Sequence, residues 1–460
     1  MKRIVIAGAS SRSGKTTAAC ALLASLRKRG LTVSAYKTGP DYIDREHLSM
    51  AGQCQAYNLD TWLMSEERMT ELFAFTSAGR DIAIIEGAMG LYDGGINSTA
   101  EISRLLDAPV ILVVNARSMG ESAAAVALGF REYDRRVNLA GVILNFTGSD
   151  YHEEIIAEAL REKGIKFLGA LRRDDGFVIP ERHLGLVQAG EISGFDTGRL
   201  AAMFESSVDV DGVLRLADVD GESRCPETLV PHTKMGYRGG KPAECDIFPA
   251  KKYDVRVGVA QDEAFTFVYP ESLLTLSAMG AEIVPFSPLR DECLPNADGY
   301  IFCGGYPEIF AEGLAANATM LDSVRQCRKP VLAECGGMMY LCRTLRDSEG
   351  RCWDMAGVIP FTSYMAGRSV MGYRTGVAIR DNILCRKGES LRGHEYHYSR
   401  IEPEYRGDSC AFELSRRDGG GTHIDGYAHG NILASYLHTN FFGSVRLAER
   451  FLDVLTSSRV

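Results

Sequence analysis

The sequence predicts an α/β protein with two domains joined by a connector, and three observations carry that prediction. Short apolar runs alternate with helix-forming stretches from Arg3 to about Leu171, and strand patterns resume at Asp254. Continuous apolar strands of this kind are buried on both faces, as in a doubly wound parallel sheet. Between the halves, Val208 to Lys252 is rich in Gly, Pro, Asp and Lys and loses periodicity. In each half, one strand runs through a glycine-bearing turn directly into a helix. The expected domains are 1–205 and 253–460, with 206–252 as linker.

Composition narrows the class. Apolar residues make up 45% of the 460 and charged residues 24%, the profile of a soluble globular protein. A net charge of −9 argues against non-specific nucleic-acid binding. No apolar run approaches the length of a membrane span. The chain enters a strand at once, so no signal peptide is expected. The twelve cysteines include no C-x-x-C pair and read as reduced thiols of a cytoplasmic protein. The expected partners are small molecules, with neither nucleic acid nor membrane, and an oligomer is compatible with the sequence.

The first half is organised around Arg3 to Arg29. RIVIA reads as a buried strand, Gly8-Ala9-Ser10-Ser11-Arg12-Ser13-Gly14-Lys15-Thr16-Thr17 as a loop, and Ala18 to Arg29 as a helix. That is the setting of a P-loop, where free N–H groups at a helix N-terminus attract phosphate. Gly8, Ser13, Gly14, Lys15, Thr16 and Thr17 are the candidate ATP contacts, with the Thr16 hydroxyl on Mg²⁺. The spacing is one residue longer than usual: five residues separate Gly8 from Gly14, and Ala9 stands where the first glycine commonly falls.

Further strands end in polar clusters, and ligands bind at such ends in an open parallel sheet. TVSAY leads into Lys37-Thr38-Gly39-Pro40-Asp41-Tyr42-Ile43-Asp44. There Lys37, Asp41, Tyr42 and Asp44 are candidates for phosphate, metal or substrate contact. DIAII ends in Glu86-Gly87, so Glu86 is the expected second acid at Mg²⁺. Asp93 is either a substrate or metal contact or a turn residue. The strands Ala108–Asn115 and Leu139–Asn145 flank a helix over Ser122–Tyr133, and Asn145 could read the nucleotide base. The loop after KFLGAL carries Arg172, Arg173 and Asp174 and reads as a charged turn.

In the second half, ADGYIF runs into Cys303-Gly304-Gly305-Tyr306-Pro307-Glu308, whose glycine turn exposes N–H groups suited to an oxyanion. PVLAE runs into Cys335-Gly336-Gly337-Met338, a nucleophile elbow. The helix start behind Cys335 is expected to lower the thiol pKa, and the Gly336 N–H joins the oxyanion donors. His438, after the strand Asn431–Leu437, is the candidate base. Arg392-Gly393-His394-Glu395-Tyr396-His397-Tyr398 places two histidines three apart and reads as a substrate contact or a polar cluster rather than a metal site.

Taken in order, the long-spaced P-loop, KTGPDYID, EGAMGLYDG, CGGYPE, AECGGMMYL, GHEYHYS and SYLHTN resemble the cobyrinic acid a,c-diamide synthase family across essentially the whole chain. The resemblance implies a dethiobiotin-synthetase-like P-loop domain followed by a class I glutamine amidotransferase-like domain. It implies glutamine hydrolysis at Cys335 and His438, with Gly304 and Gly305 at the oxyanion. It further implies ammonia transfer to a carboxylate that ATP has phosphorylated. Lys15 and Lys37 would offset phosphoryl charge, while Thr16, Glu86 and Asp41 or Asp44 would hold Mg²⁺. Close relatives in this family amidate cobyrinic acid, hydrogenobyrinic acid or nickel-sirohydrochlorin, and the cobalt corrinoid is the expected substrate. P-loop switch ATPases form the alternative class, but they have no use for Cys335 and His438. Two departures stand out. His438-Thr439-Asn440 replaces the usual His-x-Glu, so the enzyme works as a Cys–His pair or its orienting group lies elsewhere. Ala333 stands two before the nucleophile, where an elbow often has glycine.

Overall fold

A computed structural model of the chain describes residues 1–172, 181–182, 185–186, 196–218, 247–405 and 407–459. It divides into two compact units, Met1–Thr61 with Ser65–Gly236 and Trp62–Met64 with Tyr237–Val460.

The first unit is a seven-stranded sheet. Its strands are β1 (Lys2–Gly8), β2 (Val33–Thr38), β3 (Ala56–Leu59), β4 (Ile82–Gly90), β5 (Val110–Asn115), β6 (Leu139–Thr147) and β7 (Phe167–Arg172). Their spatial order is β3-β2-β4-β1-β5-β6-β7, and every pairing is parallel. The helices between them are α1 (Lys15–Lys28), α2 (Ile43–Gly52), α3 (Glu66–Ser77), α4 (Thr99–Leu105), α5 (Ser122–Tyr133) and α6 (Asp150–Glu162). Side-chain oxygens of Ser65, Ser98 and Ser149 accept from backbone N–H groups and start α3, α4 and α6. Strand order reverses beside β1, so the ends of β1, β2 and β4 converge where such sheets bind ligands. A short antiparallel pair, β8 (Glu181–Arg182) and β9 (Gly185–Leu186), follows.

Two further helices, α7 (Thr197–Ser207) and α8 (Val210–Ala217), complete the unit. Phe204, Val210, Val213 and Ala217 join one core with Leu22 and Leu26 of α1 and Ile4 and Ile6 of β1. This corrects the linker expected from residue 206. Asp209-Val210-Asp211-Gly212 looked like loop punctuation, but Asp209 is an N-cap whose Oδ1 accepts from the Gly212 N–H at 2.7 Å. The rest of the expected linker, from 219 to 246, lies outside the described residues, as do Arg173 and Asp174. Arg172 is the last residue of β7 and pairs with Glu153 at 2.7 Å, so it lies on the strand and not in the loop expected after Leu171.

The second unit opens with β10 (Val255–Ala260), α9 (Pro270–Ala278), β11 (Ala281–Phe286), β12 (Gly299–Phe302), α10 (Ala311–Ala316), α11 (Ala318–Gln326), β13 (Val331–Glu334) and α12 (Gly336–Leu341). Next come β14 (Thr344–Arg346), β15 (Cys352–Asp354), the long β16 (Thr362–Ala378) and β17 (Ser390–Glu402), β18 (Cys410–Arg416) and β19 (Thr422–His429). Last are β20 (Ile432–Ser435), β21 (Leu437–Thr439) and α13 (Val445–Ser457). Strands β11-β10-β12-β13-β20 form a parallel core, and β19, β18 and β16 extend it antiparallel. β17 pairs with both β16 and β21, which brings His394 opposite His438. Among the described residues, no helix is long and apolar enough to cross a membrane.

Candidate active sites

In the first unit, the loop between β1 and α1 is shaped by two glycines. A Cβ on Gly8 would lie 2.3 Å from Ser13 Oγ. Gly14 caps α1 at φ 91°, and a Cβ there would lie 1.8 Å from Asn145 Nδ2. Only glycine fits such a left-handed, crowded position. Asn145 therefore supports the loop. Its Nδ2 donates to the Ser13 carbonyl at 3.0 Å, and its Oδ1 accepts from the Phe146 N–H at 3.0 Å. With both ends of the amide engaged beneath the loop, base reading is not the role this geometry favours. Asp93 makes a turn contact: its Oδ2 accepts from the Gly90 N–H at 2.9 Å, while the Leu91 N–H donates to the Gly8 carbonyl.

The polar strand ends converge as the motifs suggested. Thr16 Oγ1 donates to Glu86 Oε1 at 2.5 Å and lies 3.4 Å from Asp44 Oδ2. Lys37 Nζ lies 2.6 Å from Asp44, 3.0 Å from Glu86 and 4.0 Å from Asp41. Lys37 and Glu86 are fully buried and Lys15 nearly so, while Thr17 is half-buried in the first turn and Tyr42 is buried just before α2. Burial disfavours the Lys37 charge, but Asp44, Glu86 and Asp41 outweigh it and hold the ammonium well above its ordinary value. Lys15 has less compensation, so burial and the Lys37 charge lower it. Burial pushes Glu86 up to about 7 despite the pull of Lys37. Asp41 Oδ1 accepts from the N–H groups of Ile43 and Asp44 at 3.0 Å, which starts α2 and points Asp44 at Lys37.

In the second unit, Cys335 sits between β13 and α12 at φ 48° and ψ −104°, a conformation costly for a residue with a side chain. Its N–H donates to the Ser435 carbonyl at 2.8 Å, and its thiol lies 3.5 Å from the Tyr396 carbonyl. The following glycines permit the tight fit. A Cβ on Gly337 would lie 2.1 Å from the Phe302 carbonyl, and one on Gly336 would lie 2.9 Å from Gly305 N. The turn after β12 is thus pressed against the elbow. A Cβ on Gly304 would lie 2.5 Å from His438 Cε1. The Gly304–Gly305 turn therefore lies against both Gly336, next to Cys335, and His438.

The electrostatics of this pocket differ from the sequence expectation. Burial pushes the Cys335 thiol far up, with Glu308 and Glu334 adding to the shift, so desolvation outweighs the start of the six-residue α12. His438 is fully buried, and burial together with His394 and His397 lowers it to about 3. The pair rests as thiol and neutral imidazole. The residue two after the histidine is turned elsewhere: Asn440 Nδ2 donates to Glu271 Oε1 at 2.9 Å, and its Oδ1 accepts from the Gly443 N–H at 2.8 Å.

Sequence reading missed Glu334, whose Oε2 lies 3.9 Å from His438 Nδ1. It also missed half-buried Glu308, pushed up to about 7 by burial. The adjacency of Glu334 to the nucleophile was the one available signal. The GHEYHYS stretch forms a polar knot around Glu395, which meets Arg374 at 2.5 Å and His423 at 3.1 Å. His397 stacks on Tyr436 with ring centroids 3.7 Å apart. Among the described residues, no group of three or more His, Cys, Asp or Glu side chains could hold a metal by itself.

Comparison with known proteins agrees with both pockets. Residues 4–187 match the CobQ/CobB/MinD/ParA nucleotide binding domain, and residues 256–445 match the CobB/CobQ-like glutamine amidotransferase domain. The first of these implies that the protein uses ATP. The chain is 42% identical to the cobyrinate a,c-diamide synthase of Dehalococcoides mccartyi (strain CBDB1), over 98% of each chain. It is 38% identical to the cobyrinate a,c-diamide synthase of Picrophilus torridus, again over 98% of each. It is also 38% identical to the hydrogenobyrinate a,c-diamide synthase of Streptomyces coelicolor, over 98% of this chain and 97% of that one. A strand–loop–helix phosphate cradle and a cysteine elbow in one chain, aligned end to end with these proteins, show that it belongs to the cobyrinate/hydrogenobyrinate a,c-diamide synthase family.

Proposed function

We propose that the protein is a cytoplasmic ligase of cobalamin biosynthesis that converts the a and c side-chain carboxylates of cobyrinic acid to amides, using ATP and glutamine. The observation that carries the substrate is the 42% identity, over 98% of both chains, to a protein named for this diamidation. The chemistry is supported by the two pockets.

In the second unit, the Cys335 thiol passes its proton to His438 as its sulfur attacks the glutamine amide carbon. The N–H groups of the Gly304–Gly305 turn and of Gly336 face the oxygen that gains charge. His438 returns the proton to the nitrogen, and the C–N bond breaks to release ammonia and leave a thioester. Water, with its proton taken by His438, cleaves the thioester to glutamate and the free thiol. In the first unit, the carboxylate oxygen attacks the γ-phosphorus of ATP to give an acyl phosphate and ADP. Ammonia then attacks the acyl carbon, phosphate leaves and a proton is lost. Lys15 and Lys37 offset the charge on the transferring phosphoryl group. The Thr16 hydroxyl and the Glu86 carboxylate, with Asp44 or Asp41, fit Mg²⁺, which is commonly held by one or two carboxylates plus phosphate and supplies charge neutralisation when bound. Lys37 lies against the same acids at 2.6 and 3.0 Å and keeps that donor set together.

The test is a mass-spectrometric assay with ATP, Mg²⁺ and glutamine on cobyrinic acid, hydrogenobyrinic acid and nickel-sirohydrochlorin in parallel. Two acid-to-amide conversions on cobyrinic acid are expected. Conversion of only one of the other acids would reassign the substrate. ATP hydrolysis with no amide on any of the three would overturn the proposal.

A further inference from the structure

His438 needs an anion nearby at one moment of the reaction. Its ring is fully buried and lies close enough to His394 and His397 to be affected by both. An imidazolium formed there by taking the thiol proton has lost its hydration and is costly without a compensating charge. In amidotransferases with His-x-Glu the carboxylate comes two residues later, but here that residue is Asn440 and it bonds Glu271.

Three carboxylates remain to be weighed. Glu395 is the carboxylate whose charge already raises His438, but it is committed to Arg374 at 2.5 Å and to His423 at 3.1 Å. Glu308 follows Pro307, which lies beside Gly336, and its charge acts on the Cys335 thiol. Glu334 is placed differently. Its Oε1 accepts from Thr439 N at 2.9 Å and Thr439 Oγ1 at 2.6 Å, so it grips the residue after His438. Its Oε2 faces His438 Nδ1 at 3.9 Å. That is an ion-pair distance, and contacts of this kind shorten once substrate is bound.

We infer that Glu334 is the positioning residue of the glutaminase pocket, supplying from the position before the nucleophile the carboxylate that His-x-Glu enzymes supply after the histidine. One side chain then does two things. It ties the nucleophile strand β13 to the base strand β21 through Thr439, and its carboxyl, pushed up to about 7 by burial against the pull of the Thr439 bonds, presents negative charge to Nδ1 where it is ionised as His438 takes the proton. The opposite ring nitrogen is left for the thiol and the leaving group. This inference rests on the glutaminase reading of the second unit.

The test compares Glu334→Gln, Glu334→Asp and Thr439→Val in the full-length protein, measuring glutaminase kcat and KM alongside ammonia-dependent amidation. The glutamine amide oxygen still accepts both Thr439 bonds, so Glu334→Gln removes the charge and keeps the tie. The expected result is a fall in glutaminase kcat of about tenfold or more with KM within about twofold. Glu334→Asp should recover part of the loss, and Thr439→Val should lose less than Glu334→Gln. Ammonia-dependent amidation should be unchanged in all three, which also shows that they are folded. Wild-type kcat in Glu334→Gln, or a parallel loss of kcat, KM and ammonia-dependent activity, would overturn the inference. An inactive glutaminase in the wild-type protein would instead overturn the reading on which it rests.

Discussion

The two units solve the same backbone problem in opposite ways. Each runs a buried strand into a helix through a turn that requires positive φ, at Gly14 in the first and Cys335 in the second. In the first, the residue is glycine, so main-chain N–H groups can close around an anion with no side chain in the way. In the second, the residue carries a thiol side chain, so the conformation is adopted despite its cost. The charges follow the same division. The first pocket is ionic, with Lys37 held among Asp44, Glu86 and Asp41. The second is buried, with a thiol pushed up and an imidazole lowered to about 3 by that burial. The first turn combines backbone N–H groups with permanent charge, whereas the second sets one buried thiol beside the glycine turn that also meets a buried imidazole.

Two substitutions sharpen that comparison. Gly14→Ala has the larger expected effect. Its Cβ would meet Asn145 Nδ2 at 1.8 Å and force φ 91° on a residue that disfavours it. ATP-dependent amidation should fall about 100-fold or more with either nitrogen source, while glutaminase activity persists. Near-normal amidation would show that the loop does not depend on that glycine. The smaller effect concerns stability at the elbow. Cys335→Gly and Cys335→Ala both remove the thiol, but only the first relieves φ 48°. Set against the entropy cost of glycine, Cys335→Gly should be the more stable of the two by about 1 kcal/mol in denaturant melts. The reverse order would mean that the elbow carries no strain.

Much of this arrangement was legible because it is contiguous in sequence. The strand–loop–helix around Lys15 and the elbow at Cys335 are local patterns, and the strand ends carrying Lys37 and Glu86 converge by the ordinary rule for parallel sheets. What escaped was made by distant pairing. The grip of Glu334 on Thr439 spans 105 residues, and the brace from Asn145 to Ser13 spans 132. Neither leaves a periodic trace. The antiparallel extension from β16 to β19 was also unread, since β16 mixes buried, half-buried and exposed positions without clean alternation. Asp209 misled because an N-cap and a linker use the same residue types. The thiol misled because a helix start was weighed and burial was not.

The central claim is that ammonia is made in one unit and consumed in the other. The most direct measurement is amidation of cobyrinic acid by wild-type, Cys335→Ala and Lys15→Ala proteins, each supplied in turn with glutamine and with ammonium. The account predicts product from wild type with both sources, from Cys335→Ala with ammonium alone, and from Lys15→Ala with neither. Equal loss of both activities in Cys335→Ala, or normal turnover in Lys15→Ala, would contradict it.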